Sequence, residues 1–209
     1  PPQKVKNGIV RIEIIEGFVD RIVFTSASDN DVIAQDEEYE LIHKYSKNAL
    51  SKPLKAGDLE RFVLLVNDLP GITADLTIKA SENVVGASDL ILKIEHDKVG
   101  GAITIDNYGS RFLGPLQASA NAYFNGLFGD FERLEARHVS TSQRSELEYY
   151  ELNAELPLSS LGDNFEIRLT QSLLETGFTL DEFDIEGESR SALVRYNLPV
   201  IRSREENLE

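Results

Sequence analysis

The side chains that could do chemistry in this chain are mostly carboxylates, and their spacing does not gather them. There are 36 Asp and Glu against 21 Lys and Arg, three histidines and no cysteine. Without cysteine there is no thiolate nucleophile, no thiolate metal site and no disulfide framework. His43, His96 and His138 stand far apart in sequence. His43 falls in a helical pattern with no metal-ligand partner four residues on, so the three read as solvated surface residues. The run "DNDVIAQDEE" (29–38) has the carboxylates of a calcium loop but neither its glycine nor its ligand spacing. No G-x-S-x-G elbow, H-E-x-x-H helix or Walker loop occurs. The adjacent carboxylates read as solvated faces. The sequence points to a non-enzyme that needs no metal and no cofactor.

What remains for function is binding or passage, and the elements that shape it. The net charge of −15 disfavours nucleic acid and anionic surfaces as partners. No window approaches the 18 or so apolar residues of a transmembrane helix. The chain opens without methionine, on "PPQKVKNGIV", and runs straight into an apolar alternation, so it reads as a piece of a longer protein. Charge type changes along it: Lys98 is the last of nine lysines, whereas nine of twelve arginines follow it. Helical periodicity stops at the same place, which puts a boundary near "EHDKVGG".

Before that boundary the pattern is a small α+β unit. "GIVRIEIIEG" alternates as a strand, and "FVDRIVFTS" is a second. From Glu37 to Leu50 the apolar residues Tyr39, Ile42, Tyr45, Ala49 and Leu50 recur at three to four, the mark of an amphipathic helix. "SKPL" breaks it. "AGDLERFVLLVNDLPG" places Leu59, Phe62, Val63, Val66 and Leu69 on one stripe, with Leu65 at its margin. Asp58 is the expected N-cap, and Pro70 with Gly71 supplies the stop. "ITADLTIKA" and "SDLILKIEH" are two further strands, each with one apolar face. The order strand, helix, helix, strand, strand packs as two helices on one face of a three-stranded sheet. Such a sheet leaves an edge where an extended chain can add. The expected site is an edge within 72–80, with Ile72, Ala74, Leu76 and Ile78, or the neighbouring helix face.

After the boundary only strands are predicted, at 101–109, 115–124, 131–140, 146–158, 164–174 and 190–201. Their lengths suit strands that cross a membrane, which need roughly 9–11 residues. In "LQASANAYF" one face carries Ala118, Ala120 and Ala122 and the other Gln117, Ser119, Asn121 and Tyr123. Lipid outside imposes no interlocking core, and water inside accepts the polar face. Tyr108, Phe112, Tyr123, Phe124 and Phe128 fall near strand ends, as aromatic girdles do. "LDEFDIEGESR" reads as a solvated loop. A soluble antiparallel sandwich or barrel would show the same alternation.

Several stretches resemble a known family. "DLERFVLLVNDLPGITADLTI" resembles the helix-to-strand signature of a polypeptide-transport-associated (POTRA) domain. "GAITIDNYGSRFLG" resembles the first barrel strand and turn of the same proteins, and "PPQKVKNGIVRIEIIEGFVDRIVF" resembles one POTRA domain ending and the next beginning. "LVRYNLPVIRSREENL" resembles a later barrel strand. The family is the outer-membrane transporter of two-partner secretion (TpsB), also called the haemolysin-activator family. The resemblance implies three parts: residues 1–17 as the C-terminal strand of a first POTRA domain, 18–97 as the second POTRA domain, and 98–209 as the N-terminal part of a transmembrane β-barrel. It marks Asn67, Asp68, Leu69, Pro70 and Gly71 and then Asp106, Asn107, Tyr108 and Gly109 as structural motif residues. It implies periplasmic capture of a TpsA-like exoprotein through its N-terminal secretion domain, export through the barrel, lipid around the barrel and a Gram-negative outer membrane. A barrel-assembly insertase of the same superfamily and a soluble β-rich binding or adhesin module are the alternatives. Oligomeric state is not legible.

Overall fold

The computed structural model describes residues 16–27, 32–33, 39–49, 51–129, 131–142 and 146–209. The strand expected at 9–15, the helix start at 37–38, Leu50 and most of the acidic run 29–38 lie outside the described residues.

Among the described residues two large sheets are formed, divided between His96 and Val99, with a small two-stranded sheet after them. The first contains β1 (Phe18–Ser26), β2 (Ile72–Ala80) and β3 (Ala87–His96) in the order β1-β3-β2. β3 is parallel to β1 and antiparallel to β2. The helices α1 (Glu40–Ala49) and α2 (Ala56–Asn67) lie between β1 and β2 in sequence. Their apolar stripes meet one face of the sheet, where Ile42, Phe62, Val66, Leu90 and Leu92 are among the most deeply buried side chains.

Two details of α2 differ from the sequence reading. The N-cap is Lys55, with no side-chain cap bond, and Asp58 lies inside the first turn. There its charge still faces the positive end of the helix dipole. Leu65, expected at the margin, is buried together with Leu59, Phe62 and Val66. It is covered by the second sheet, which a periodicity argument within one unit cannot see.

The second sheet has six strands in sequence order: β4 (Val99–Asp106), β5 (Gln117–Asn125), β6 (Arg133–Thr141), β7 (Leu147–Pro157), β8 (Asn164–Glu175) and β9 (Glu186–Asn197). All neighbours are antiparallel, and the sheet does not close on itself. A two-stranded hairpin, β10 (Ile201–Arg202) and β11 (Asn207–Leu208), follows.

Its two faces differ in chemistry. The inward face carries linked polar groups. Arg133 reaches Glu135 at 3.2 Å and lies 4.2 Å over the Tyr123 ring. Asn121 donates to Glu135 at 3.2 Å. Glu166 pairs with Arg168 at 2.6 Å and Arg195 at 3.2 Å. Tyr123 therefore belongs to this face and not to an aromatic girdle.

The outward face is apolar along a slanted band. On β4 and β5 it reaches Ile105 and Ala118. At the same register on β7 to β9 stand Glu148, Leu173 and Glu188, then Tyr150, Gln171 and Arg190. There the apolar residues lie lower, at Leu152, Leu169, Ile167 and Val194. A band crossing tilted strands must slant in this way. The slant also explains the last strand. It was expected to start at 190 but starts at Glu186, because carboxylates are tolerated above the band.

The histidines are not solvated as expected. His43 packs edge-on against Phe24 at 4.4 Å, His96 lies 5.6 Å from Phe131, and His138 stacks on Tyr150 at 4.6 Å.

Candidate functional site

β2 is an edge strand of the first sheet, and its edge is only partly open. The residues facing away from β3 along the strand direction are Ile72, Ala74, Leu76 and Ile78, which follows from how Ala74 is bonded. The Asn67 carbonyl accepts from the Ala74 N–H at 2.9 Å, and its amide donates to the Ala74 carbonyl at 3.0 Å. The Ile72 N–H donates to the Leu69 carbonyl at 3.1 Å. Strand alternation then directs the N–H and C=O of Leu76 and Ile78 outward as well. No partner for these is found among the described residues. Ile72 and Ala74 are buried, Leu76 is half-buried and Ile78 is 52% exposed.

Beside this open stretch runs a groove of about 710 Å³ between α2 and β2, lined by Leu59, Glu60, Val63, Asn67, Leu76 and Arg204. Five of these residues come from the first unit. Arg204 comes from the hairpin after β9, and its backbone N–H donates to Glu60 at 2.9 Å. Sequence reading did not find this sixth residue, which lies more than a hundred positions from the rest. No local signal marks it.

The "NDLPG" motif explains itself residue by residue. Asn67 ties the end of α2 to β2, as above, and also donates to the Val63 carbonyl at 2.9 Å. Asp68 accepts two hydrogen bonds from Arg202, each 2.6 Å. Leu69 and Pro70 are buried. Gly71 has φ +73°, and a Cβ there would stand 2.5 Å from the Asp97 carbonyl. Only glycine adopts that conformation at so little cost and leaves room for the neighbouring chain.

The same residues lie at a junction between the two units. Arg61 donates to the carbonyls of Leu161 at 3.1 Å and Pro199 at 2.8 Å. A Cβ on Gly162 would collide with Leu65. Phe131, from the turn between β5 and β6, is 1% exposed and belongs to the core of the first unit. It sits 6.0 Å from Tyr39 and has φ +57°. Asn125 donates to the Asp97 carbonyl at 2.7 Å. Three successive turns of the second sheet thus contact the first unit. In one of them, burial works against the Asp163 carboxylate. Hydrogen bonds from Ser159, Tyr196 and the backbone outweigh it and hold the group below the usual carboxylate range.

The "DNYG" motif sits at the opposite end of the second sheet. The Asp106 carboxylate accepts from the Tyr108 N–H at 3.1 Å. Tyr108 is 91% exposed and Asn107 is exposed. The Gly109 N–H donates to the Pro115 carbonyl at 3.2 Å, and a Cβ on Gly109 would run into the Gly114 carbonyl. The structure does not bring this motif near the groove. It shapes the turn that joins β4 and β5.

Similarity to known proteins follows this geometry. No family model matches the chain. It is 30% identical over 171 residues to the heme/hemopexin transporter protein HuxB of Haemophilus influenzae, covering 80% of the chain and 28% of that protein. The chain is a relative of the two-partner-secretion outer-membrane transporters. Among solved structures, CdiB from Escherichia coli superposes with a TM-score of 0.68 at 16% identity, covering 97% of the chain and 37% of CdiB. CdiB from Acinetobacter baumannii gives 0.57 at 18% identity, covering 94% and 36%. Both place the chain in a fold with POTRA and barrel parts. The chain spans less than a third of the length of the HuxB relatives it matches. The six-stranded sheet accordingly has the fold of part of a β-barrel, with β4 and β9 as its outermost strands among the described residues.

Proposed function

We propose that the chain is the working junction of a two-partner-secretion transporter. Residues 18–97 are its second POTRA domain, in the periplasm. Residues 1–17 end the first POTRA domain, and 98–209 begin the barrel. The domain takes up an extended segment of a TpsA-like exoprotein, from its N-terminal secretion domain, as a fourth strand beside β2. The exoprotein then leaves through the barrel.

The observation that supports this reading is the half-open edge. Asn67 closes it at Ala74, while Leu76, which lines the groove, and Ile78 beyond it turn their backbone groups away from β3. Backbone hydrogen bonds supply affinity in strand addition, and alternate side chains supply selectivity. The apolar wall of Leu59, Val63 and Leu76 suits every second side chain of an entering strand.

Proline tests this cleanly. At 76 or 78 it removes an outward N–H and leaves the bonds to β3 intact, because proline is tolerated where the N–H faces away from the sheet. At Thr77 it breaks the ladder. Full-length transporter carrying Leu76→Pro should keep its fold and lose both capture of the exoprotein's N-terminal domain and secretion into the medium. Undiminished secretion by Leu76→Pro and Ile78→Pro would overturn the reading.

A further inference from the structure

A second cavity, of about 340 Å³, lies under α1, and its walls divide by chemistry. One side is apolar, formed by Leu41, Phe128, Leu156 and Leu158. The other holds Glu40 and Lys44, paired at 3.0 Å, and the buried carboxylate of Glu132, which accepts from the Phe128 N–H. Leu156 is on the outward face of the barrel arc and pairs in register with Phe165. The apolar wall therefore continues the surface that meets lipid.

Phe128 is 76% exposed and Leu158 52% exposed to water in the protein alone. Phe131, from the same turn, also borders the cavity but is buried in the core of the first unit. Large apolar side chains held outward together mark a surface with a partner. They lie just past the ends of β5 and β7, where a bilayer changes from acyl chains to headgroups. Glu40 and Lys44 are half-exposed or more at that level, with side chains 67% and 50% accessible.

We infer that this cavity binds one zwitterionic glycerophospholipid whose headgroup ends in a primary ammonium. The phosphate sits on the Lys44 ammonium, and the lipid ammonium donates to the Glu40 carboxylate. The acyl chains run along Phe128, Leu156 and Leu158 into the bilayer. Lys44 beside Glu40 complements a headgroup bearing both charges, and the cavity's second carboxylate, Glu132, is already engaged by the Phe128 N–H. A quaternary ammonium has no N–H to donate, and an anionic headgroup without an ammonium leaves Glu40 facing like charge. The site would pin the α+β unit to the membrane surface whatever the transporter exports.

The test uses full-length protein in nanodiscs holding equal parts of phosphatidylethanolamine, phosphatidylcholine and phosphatidylglycerol. Native mass spectrometry of the released protein identifies retained lipid by mass. Phosphatidylethanolamine should be retained selectively, Lys44→Glu should lose it, and the exchange Glu40→Lys with Lys44→Glu should regain it. Heat-modifiable gel mobility confirms that each variant has assembled. Equal retention of phosphatidylcholine, preference for phosphatidylglycerol, or unchanged retention in Lys44→Glu would overturn the inference.

Discussion

Replacing Phe131 by alanine probes the claim that the α+β unit is completed by a residue from the barrel. Phe131 is 1% exposed and packs with Tyr39 and His96. Truncating a fully buried phenylalanine costs about 3–5 kcal/mol in lost transfer energy and residual cavity. Alanine recovers none of the backbone cost at φ +57°, because it still carries a Cβ. Glycine recovers roughly 1 kcal/mol, so Phe131→Gly should be the milder change at this site. A unit of this size has a total stability of only about 4–12 kcal/mol, so either loss is large. The assay is amide hydrogen exchange on membrane-embedded full-length protein, read over α1, α2 and β3. Phe131→Ala should raise exchange in all three while the centres of β6 and β7 stay protected. Unchanged exchange in α1 and β3 would refute the reasoning. It would show that the first unit's core does not depend on the turn.

Three further outcomes are expected. Leu65→Asp and Val66→Asp should both destabilise the first unit by several kcal/mol in urea unfolding, because each buries an unpaired carboxylate; a mild effect at Leu65 would contradict its packing on Gly162. Leu152→Arg, on the outward face at 59% exposure, should cost roughly 2–4 kcal/mol and impair heat-modifiable assembly, whereas Asn153→Arg faces the polar interior beside Glu166 and should be tolerated. Burial, then the charge of Lys47, lowers the His43 pKa, so the unfolded chain takes up its proton first as pH falls. Stability of the unit should therefore drop as pH falls through about 6.5, and His43→Gln should flatten that dependence in denaturant midpoints; an equal slope in the variant would assign it elsewhere.

The order of elements was legible in the sequence because each was set locally. The 3.6-residue stripe through Leu59, Phe62 and Val66 can only be a helix with one buried face. The strict alternation through Tyr149 to Leu156 can only be a strand between unlike media. Proline and glycine at 70 and 71 end α2 for reasons contained in those two residues. The position of the β2 strand could be named for the same reason, whereas the motif residues were marked by the family resemblance.

What depends on distant parts of the chain could not be named. Leu65 looked marginal because its cover, Gly162, is nearly a hundred residues away. Asp68 was marked only as a motif residue, and its partner Arg202 lies more than a hundred positions away; Arg204 had no local reason to line a groove made by α2 and β2. Glu186 to Arg190 read as a loop because acidity argues against a strand in lipid, and only the tilt of the strands lifts those carboxylates out of the apolar band. Periodicity reports which face of an element is covered. Which element covers it is decided by the tertiary packing of three barrel turns against one small sheet and its helices.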